Sequence, residues 1–333
     1  MRFGFAVKVI GHGGNLATIP AEAGMPSNDA RRWQSGPHVH QSIEYVRDIF
    51  HYLRKVDIHM YRMSSDFAPY LTHPDMPQFH NQLEEAKDEL ADLGALARDY
   101  DIRLSLHPSQ YILLNALDDE VARKSIVDLN AQAKLLDAMN CGAEAVVVTH
   151  VGGVYGERDE SLARFIRRYK ELPEETKRRL VVENDDVSYA VTDTLRVHEA
   201  TGCPLVFDNL HHFCFNPEGL AMRDALGAVL ATWPEDVTPK IHYSSPSTDF
   251  ETTVEKEKGA TGRDKTVTKL HSPRLKAHAD FINPLEFVQF WEGVNVDGLR
   301  PFDVMLEAKA KDVALLRLRR ELGRQRERLI AAG

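Results

Sequence analysis

No run of about eighteen consecutive apolar residues occurs in this 333-residue chain, so nothing in it reads as a membrane-spanning helix. The apolar start, Met1–Ile10, is interrupted by Lys8. Ala21–Ala23 has the small-residue pattern of a cleavage site, but no clean apolar run precedes it, and a secretory leader is not expected. Cysteine is scarce. Cys141, Cys203 and Cys214 are odd in number and lack metal-finger spacing, which argues against a disulfide scaffold and suits a reducing, cytoplasmic compartment. Repeats, low-complexity tracts and linker-like stretches are missing too, so residues 1–333 read as one domain. Nor does any Ser–His–Asp or Cys–His set announce a protein nucleophile. The net charge of −9 disfavours a polyanionic partner, unless acidic side chains hold divalent cations and invert the sign locally.

What the chain does have is a rhythm. Eight short apolar, β-prone runs recur at Arg2–Val7, Ile58–Ser65, Ile102–Pro108, Ala145–His150, Leu180–Asp185, Pro204–His212, Lys240–Ser245 and Phe302–Lys309. Helical spacing lies between them. Leu83, Ala86, Leu90, Leu93 and Ala97 form one stripe. Ala122, Ile126, Leu129, Ala133 and Leu136 form another, with Gly142 suited to its stop. A last helix from about Ala308 carries Leu315, Leu318, Leu322 and Leu329. Strands alternating with helices predict an α/β fold with a parallel sheet, and eight units predict a single-domain (β/α)8 TIM barrel. The charged, weakly periodic segment Ser247–Asp280 is expected as a long loop insertion between strands seven and eight, at the barrel mouth.

A barrel brings the carboxyl ends of its strands to one rim. There the sequence puts His107, His150, Glu183, Asp208, His242 and Glu307, with His211 just beyond. Taken singly, a histidine after a strand is ordinarily a hydrogen-bonded loop residue, and a lone Glu183 would serve as an ion-pair partner. Taken together, imidazoles and carboxylates without a thiolate suit Mn²⁺, Zn²⁺ or Fe²⁺ in a multinuclear hydrolytic site. His211 is preferred to His212 as a ligand. Asp185 and Asp186 either hold an imidazole N–H or cap the next helix. His198 reads as a surface residue, and the basic run Arg317–Arg328 as the solvated face of the last helix. Lys240, two residues before His242, points the same way along its strand, where a cation should be repelled.

The blocks "YRMSS", "LSLHPSQY", "THVGGVYGE", "VVENDD", "VFDNLHH", "KIHYSSP", "AHADFI" and "DVMLEAKAKDVALLRL" resemble the UV damage endonucleases, from about Ile58 to Leu318. Gly11–His40 matches poorly, and the insertion departs from compact members. The resemblance implies a TIM barrel related to the abasic-site endonucleases, with up to three divalent metals, commonly manganese, with zinc as an alternative. It implies nicking of double-stranded damaged DNA immediately 5′ to photoproducts, leaving a 3′-hydroxyl and a 5′-phosphate, with no organic cofactor and no membrane. By the same resemblance Glu183 bridges two metals. His107 and His150 complete the first site, Asp208, His242 and Glu307 the second, and His211 and His278 hold a third. Lys240 is either a carboxylysine, as in the family, or an ordinary lysine near a phosphate. Gln110 and Tyr111 would wedge into the base stack. His73 would reach the scissile phosphate or the cluster, and Tyr61, Arg62, Tyr155 and Arg158 are candidates for backbone or lesion contacts.

Two other readings compete. A sugar isomerase or epimerase barrel also arranges Glu, Asp and His around two metals, and His211, Lys240 and His278 argue against it as a third site. A non-catalytic lesion-binding repair factor would tolerate alanine at His107 and His150.

Overall fold

Each apolar run becomes a strand, as its β-branched and aromatic content favours. They are β1 (Phe3–Ala6), β2 (Met60–Arg62), β3 (Arg103–Leu106), β4 (Val146–His150), β5 (Leu180–Glu183), β6 (Leu205–Asp208) and β7 (Lys240–Tyr243). An antiparallel pair follows, β8 (Glu251–Lys258) and β9 (Asp264–His271), before the last barrel strand, β10 (Asp303–Leu306). The computed structural model describes residues 1–11, 24–258, 264–294 and 298–331. The parallel strands close in the order β1-β10-β7-β6-β5-β4-β3-β2, the eight-stranded barrel that the sequence predicts. The connecting helices are α1 (Val39–Lys55), α2 (Gln82–Glu85), α3 (Lys87–Asp99), α4 (Asp119–Ala138), α5 (Arg158–Lys170), α6 (Glu174–Lys177), α7 (Val191–Thr201), α8 (Asn209–Cys214), α9 (Met222–Ala231), α10 (Pro284–Gly293) and α11 (Lys311–Ala331).

Side chains alternate along a strand, so each barrel strand divides its residues between helices and lumen. Leu104, Leu106, Val147, Val182, Phe207, Ile241, Val304 and Leu306 face outward into one continuous core with the helices. The opposite parity faces the lumen. Val146, Val148, Val181 and Val206 fill it from below, together with Trp233 and Val237. At the same depth the buried Arg103 guanidinium pairs with Asp303 at 2.9 Å. On β1 that parity falls on Gly4, where a Cβ would sit 2.6 Å from the Met60 carbonyl oxygen, so the lumen has no room for a larger residue. The next residues of this parity towards the carboxyl ends are His107, His150, Glu183, Asp208, His242 and Glu307. Apolar packing below them fixes the platform on which they stand.

Several details differ from the sequence expectation. The insertion is not loop throughout: Glu251–Lys258 and Asp264–His271 pair residue for residue, from Glu251 opposite His271 to Lys258 opposite Asp264. Helix α4 stops at Met139, and Asn140 takes the left-handed turn (φ 51°), so Gly142 is not the stop. His198 is half-buried in α7 and donates Nδ1–H to the Cys203 carbonyl at 2.9 Å. Part of the Gly11–His40 stretch, residues 12–23, lies outside the described residues, as do the side chains of Arg326, Arg328 and Leu329.

Candidate metal centre and active site

Glu183 ends β5 and sits at the middle of the rim, 1% exposed. Its Oε2 lies 3.2 Å from His107 Nε2 and 3.6 Å from His150 Nε2. Its Oε1 lies 2.8 Å from His242 Nδ1 and 3.5 Å from His211 Nδ1. Glu307, one residue past β10, reaches His242 Nδ1 at 3.3 Å and His278 Nδ1 at 3.7 Å. It also accepts a hydrogen bond from the Arg62 guanidinium at the end of β2. The His211 and His278 rings stand 6.4 Å apart. Two sets of donors therefore share Glu183: His107 and His150 on one side, Asp208 and His242 on the other, each set with donor atoms within 4.8 Å of one another.

Two asparagines brace this arrangement. Asn184 follows Glu183, and its side-chain amide spans to β6, accepting from Asp208 N at 2.9 Å and donating to Asp208 O at 3.2 Å. Its carbonyl accepts Nδ1–H of His211 at 2.9 Å. Asn209 follows Asp208 and makes the same pair of bonds to Ser244, at 2.8 and 3.1 Å. Neither was singled out from the sequence. The available signal was an asparagine directly after the carboxylates that end β5 and β6.

Electrostatics favour a cation here. Burial alone would push the Glu183 carboxyl up, but the fields of His242 and His150 and hydrogen bonds from His107 and His242 hold it well below the usual range. Burial raises Asp208, against the pull of His211 and with added push from Glu183 and Glu307. Burial lowers His107 to about 4, despite Glu183, so its imidazole is neutral at pH 7. His107 Nδ1 lies 3.1 Å from the Pro108 carbonyl, so either ring nitrogen has a partner for its proton: Nε2–H donates to Glu183 when no ion is bound, and a proton carried on Nδ1 frees the Nε2 lone pair for a cation. Asp208 Oδ2, His242 Nε2 and His150 Nδ1 are also buried without a hydrogen-bond partner, an arrangement that costs about 1–3 kcal/mol per group if nothing binds them. The donor set fits Mn²⁺, Zn²⁺ or Fe²⁺.

The UV-endonuclease family UvdE matches residues 37–330. The chain belongs to this family. Among UvdE-like relatives it is similar to the UV DNA damage endonuclease of Bacillus velezensis, 36% identical over 275 residues, covering 82% of this chain and 77% of the relative. The enzyme of the same name from Bacillus cereus strain G9842 is 31% identical over 288 residues, covering 85% and 81%. The solved structure of SacUVDE superposes with a TM-score of 0.77 at 31% identity, covering 98% of this chain and 99% of that one. A 3-keto-D-glucoside 4-epimerase from E. coli superposes at 0.51 with 11% identity, which is a likeness of fold alone.

The remaining candidates of this UvdE chain are placed unequally. Gln110 and Tyr111 lie on the rim with Tyr111 75% exposed, and Gln110 lines a cleft of about 430 Å³ beside His107, His150 and His211. Tyr155 is exposed on the far wall of that cleft. Gly152, in the same wall, has φ 111°, and a Cβ there would come 2.3 Å from Asn115 Oδ1. Lys240 is fully buried below His242, its Nζ bonded to Ser105 Oγ at 3.1 Å. Burial, with Arg103 and Arg62 nearby, drives its ammonium well below the usual lysine range. Tyr61 faces the opposite way from the lumen, fully buried in the helix-side core with its hydroxyl on the Val7 carbonyl, so it is out of reach of DNA. Arg158 is drawn to Asp193 and lies over the Tyr189 and Phe215 rings. His73 lines a neighbouring cavity with Asp66, Tyr70 and Asp128, where its Nδ1 accepts from Asp75 N–H. His212 is buried against the Leu220 carbonyl, away from the cluster. Asp185 accepts the backbone N–H groups of Val187, Ser188 and Tyr189, and Asp186 pairs with Lys276 at 3.7 Å, so neither holds an imidazole nor caps α7.

Proposed function

We propose that this chain is a DNA-repair endonuclease that nicks double-stranded DNA immediately 5′ to ultraviolet photoproducts, with abasic sites as further substrates, leaving a 3′-hydroxyl and a 5′-phosphate. The observation that carries the reading is Glu183, with one carboxylate oxygen in each of two converging donor sets. Family membership supports the substrate class.

His107, His150 and Glu183 would hold one divalent ion. Glu183, Asp208, His242 and Glu307 would hold a second, and His211 and His278 a third, with Mn²⁺ the first choice. Such ions, when bound, activate water near neutral pH and stabilise charge on phosphate oxygens. The protein's own part is to fix the donors. Neutral His107 offers Nε2, Asn184 and Asn209 set the Asp208 and His211 geometry, and Arg62 orients Glu307. Burial and the nearby Arg103 and Arg62 disfavour the Lys240 ammonium; its free amine would add to CO₂ to give a carbamate and a proton, an anion that the two guanidinium groups favour. Gln110 and Tyr111 stand free on the rim to occupy the space left by an everted lesion. Base–aromatic stacking of this kind is worth about 1–3 kcal/mol. No organic cofactor is needed, and among the described residues no helix is long and apolar enough to cross a membrane.

The test is a duplex with one defined photoproduct, incubated with Mn²⁺ and the cut site mapped. A single nick 5′ to the lesion with a 3′-hydroxyl supports the reading, and an intact duplex under all divalent metals overturns it. Metal analysis gives about three ions per chain on this account, against two for an epimerase-type centre.

A further inference from the structure

Three loops meet at one carbonyl oxygen beside the metal centre. His107 follows β3, His150 ends β4 and Glu183 ends β5, and each leads into a loop of the rim. Asn115, from the loop after β3, donates Nδ2–H to the Gly153 carbonyl at 2.7 Å. Tyr189, from the loop after β5, donates its hydroxyl to the same oxygen at 3.1 Å. Gly153 itself stands three residues after His150. The loops that leave the first donor set are therefore stapled to one another. The joint has no slack, since a Cβ on Gly152 would come 2.3 Å from Asn115 Oδ1.

Helix α5 clamps the same loop from behind. The buried Arg168 donates Nη1–H to the Leu114 and Ala116 carbonyls, both at 2.6 Å, and Nη2–H to Asp119 at 2.6 Å. Arg164 donates Nε–H to the Asn115 carbonyl at 2.8 Å. Its guanidinium also lies 5.7 Å from the centre of the Tyr155 ring, on the far wall of the cleft. Leu113 N–H is held by Ser125 Oγ at 2.8 Å. The loop is thus fixed in its buried half, Leu114–Ala116, and open at Ser109, Gln110 and Tyr111. Only residues 108–112 separate His107 from the first anchored residue, so the open tip stays close to the donor set. Asn115 is fully buried, and its Oδ1 has no hydrogen-bond partner among the described residues. Packing alone would favour an apolar side chain there, so the amide is kept for its Nδ2 bond.

Spacing along DNA sets the tolerance. Successive phosphates of one strand lie about 3.4 Å apart along the duplex axis. When the tip reads the lesion and the donor set cuts, a relative shift of that size moves the cut by one nucleotide. A misplacement of about 1 Å already costs on the order of a hundredfold in rate. We propose that Asn115, clamped by Arg164 and Arg168, is a positioning residue that fixes the register between the place where the lesion is read and the phosphodiester that is cut. Being fully buried, it acts without touching DNA. The assignment rests on the endonuclease reading.

Three variants test it. Asn115→Ala removes the staple without orphaning an acceptor, because the Tyr189 hydroxyl still reaches the Gly153 carbonyl. Arg168→Lys keeps the charge but loses the planar fork that spans two carbonyls and a carboxylate. Tyr189→Phe removes one hydroxyl and is the mildest loss. A 5′-labelled duplex with one defined photoproduct is nicked with Mn²⁺ in single turnover, the products are sized to one nucleotide, and Mn²⁺ affinity serves as the folding control. In variants that bind Mn²⁺ as wild type does, the rate at the phosphodiester immediately 5′ to the lesion is expected to fall roughly ten- to a hundredfold, and the ratio of neighbouring cuts to that cut to rise at least about tenfold. Tyr189→Phe should show the smallest change. A general loss of structure lowers all cuts alike and leaves the ratio unmoved. A wild-type ratio in every variant that binds Mn²⁺ overturns the register role and leaves the endonuclease standing. Loss of Mn²⁺ binding in all three makes the staple a folding element and also overturns it. A wild-type chain that does not nick overturns the endonuclease reading, and the register role with it.

Discussion

Replacing Glu183 by glutamine keeps the shape of the side chain and removes its charge. The metal-free protein should tolerate this. His242 Nδ1–H, 2.8 Å from Oε1, keeps an amide oxygen as acceptor, and the packing beneath β5 is unchanged. The ligand-linked stability that runs through Glu183 should not survive. A divalent ion present at a hundred times its dissociation constant stabilises the folded state by about 2.7 kcal/mol. For 333 residues, an unfolding entropy of about 2.1 cal/mol/K per residue gives roughly 0.7 kcal/mol/K, so each bound ion raises Tm by about 4 °C. Glu183 belongs to both donor sets, so those two ions should raise Tm by about 8 °C in wild type and by little or nothing in Glu183→Gln, while the ion on His211 and His278 adds about 4 °C to each. Nicking of a photoproduct duplex should fall on the order of a thousandfold or more, as when a major electrostatic contributor is lost. Differential scanning calorimetry with and without Mn²⁺, together with single-turnover nicking, reads both. A glutamine variant that shows the wild-type thermal shift and cuts as fast would refute the reasoning.

The metal-free protein should show two displaced histidines by NMR titration, His107 near about 4 and His211 near about 9. The signs oppose. Burial lowers His107, so stability falls as pH drops from the ordinary histidine value of about 6.5 through 4. Burial also opposes the charged form of His211, but Asp208 and Glu183 outweigh it and raise its pKa, so its contribution is present below about 6.5 and is lost as pH rises through 9. Both rings titrating near 6.5 would contradict the described packing. Tyr111→Ala should leave the unfolding free energy within about 0.5 kcal/mol of wild type, as for an exposed side chain, while preference for damaged over intact duplex drops by about ten- to a hundredfold. Equal discrimination in competition binding would remove Tyr111 from recognition. With ¹³C-bicarbonate, wild type should give a carbamate carbon signal that Lys240→Met lacks, and no signal in wild type would leave Lys240 an unmodified amine.

The barrel and its candidate ligand set were readable because burial and position coincide. A strand enclosed on both sides is a continuous apolar run, and its last lumen-facing residue is where chemistry can begin, as at His150, Glu183 and Asp208. Tyr61 misled because β2 is only three residues long, too short for alternation to reveal that Arg62 takes the lumen and Tyr61 the core. Arg158 and His73 depended on partners elsewhere in the fold. Asp193, 35 residues away, captures the first, and the turn at Asp75 and the ring of Tyr70 hold the second. The β8–β9 ribbon was present in the sequence as "TTVEKEK" and "DKTVTKL", a two-residue alternation without enough apolar content to stand out from a charged loop. Asn184 and Asn209 escaped because a cross-strand amide bridge has no spacing of its own.

The central claim is that distant strand ends build one polynuclear centre around Glu183. Anomalous scattering from crystals equilibrated with Mn²⁺ measures it directly. The account predicts two or three strong peaks among His107, His150, Glu183, Asp208, His242 and Glu307, one of them on each side of the Glu183 carboxylate. Peaks confined to other surfaces, or none at this rim, would contradict it.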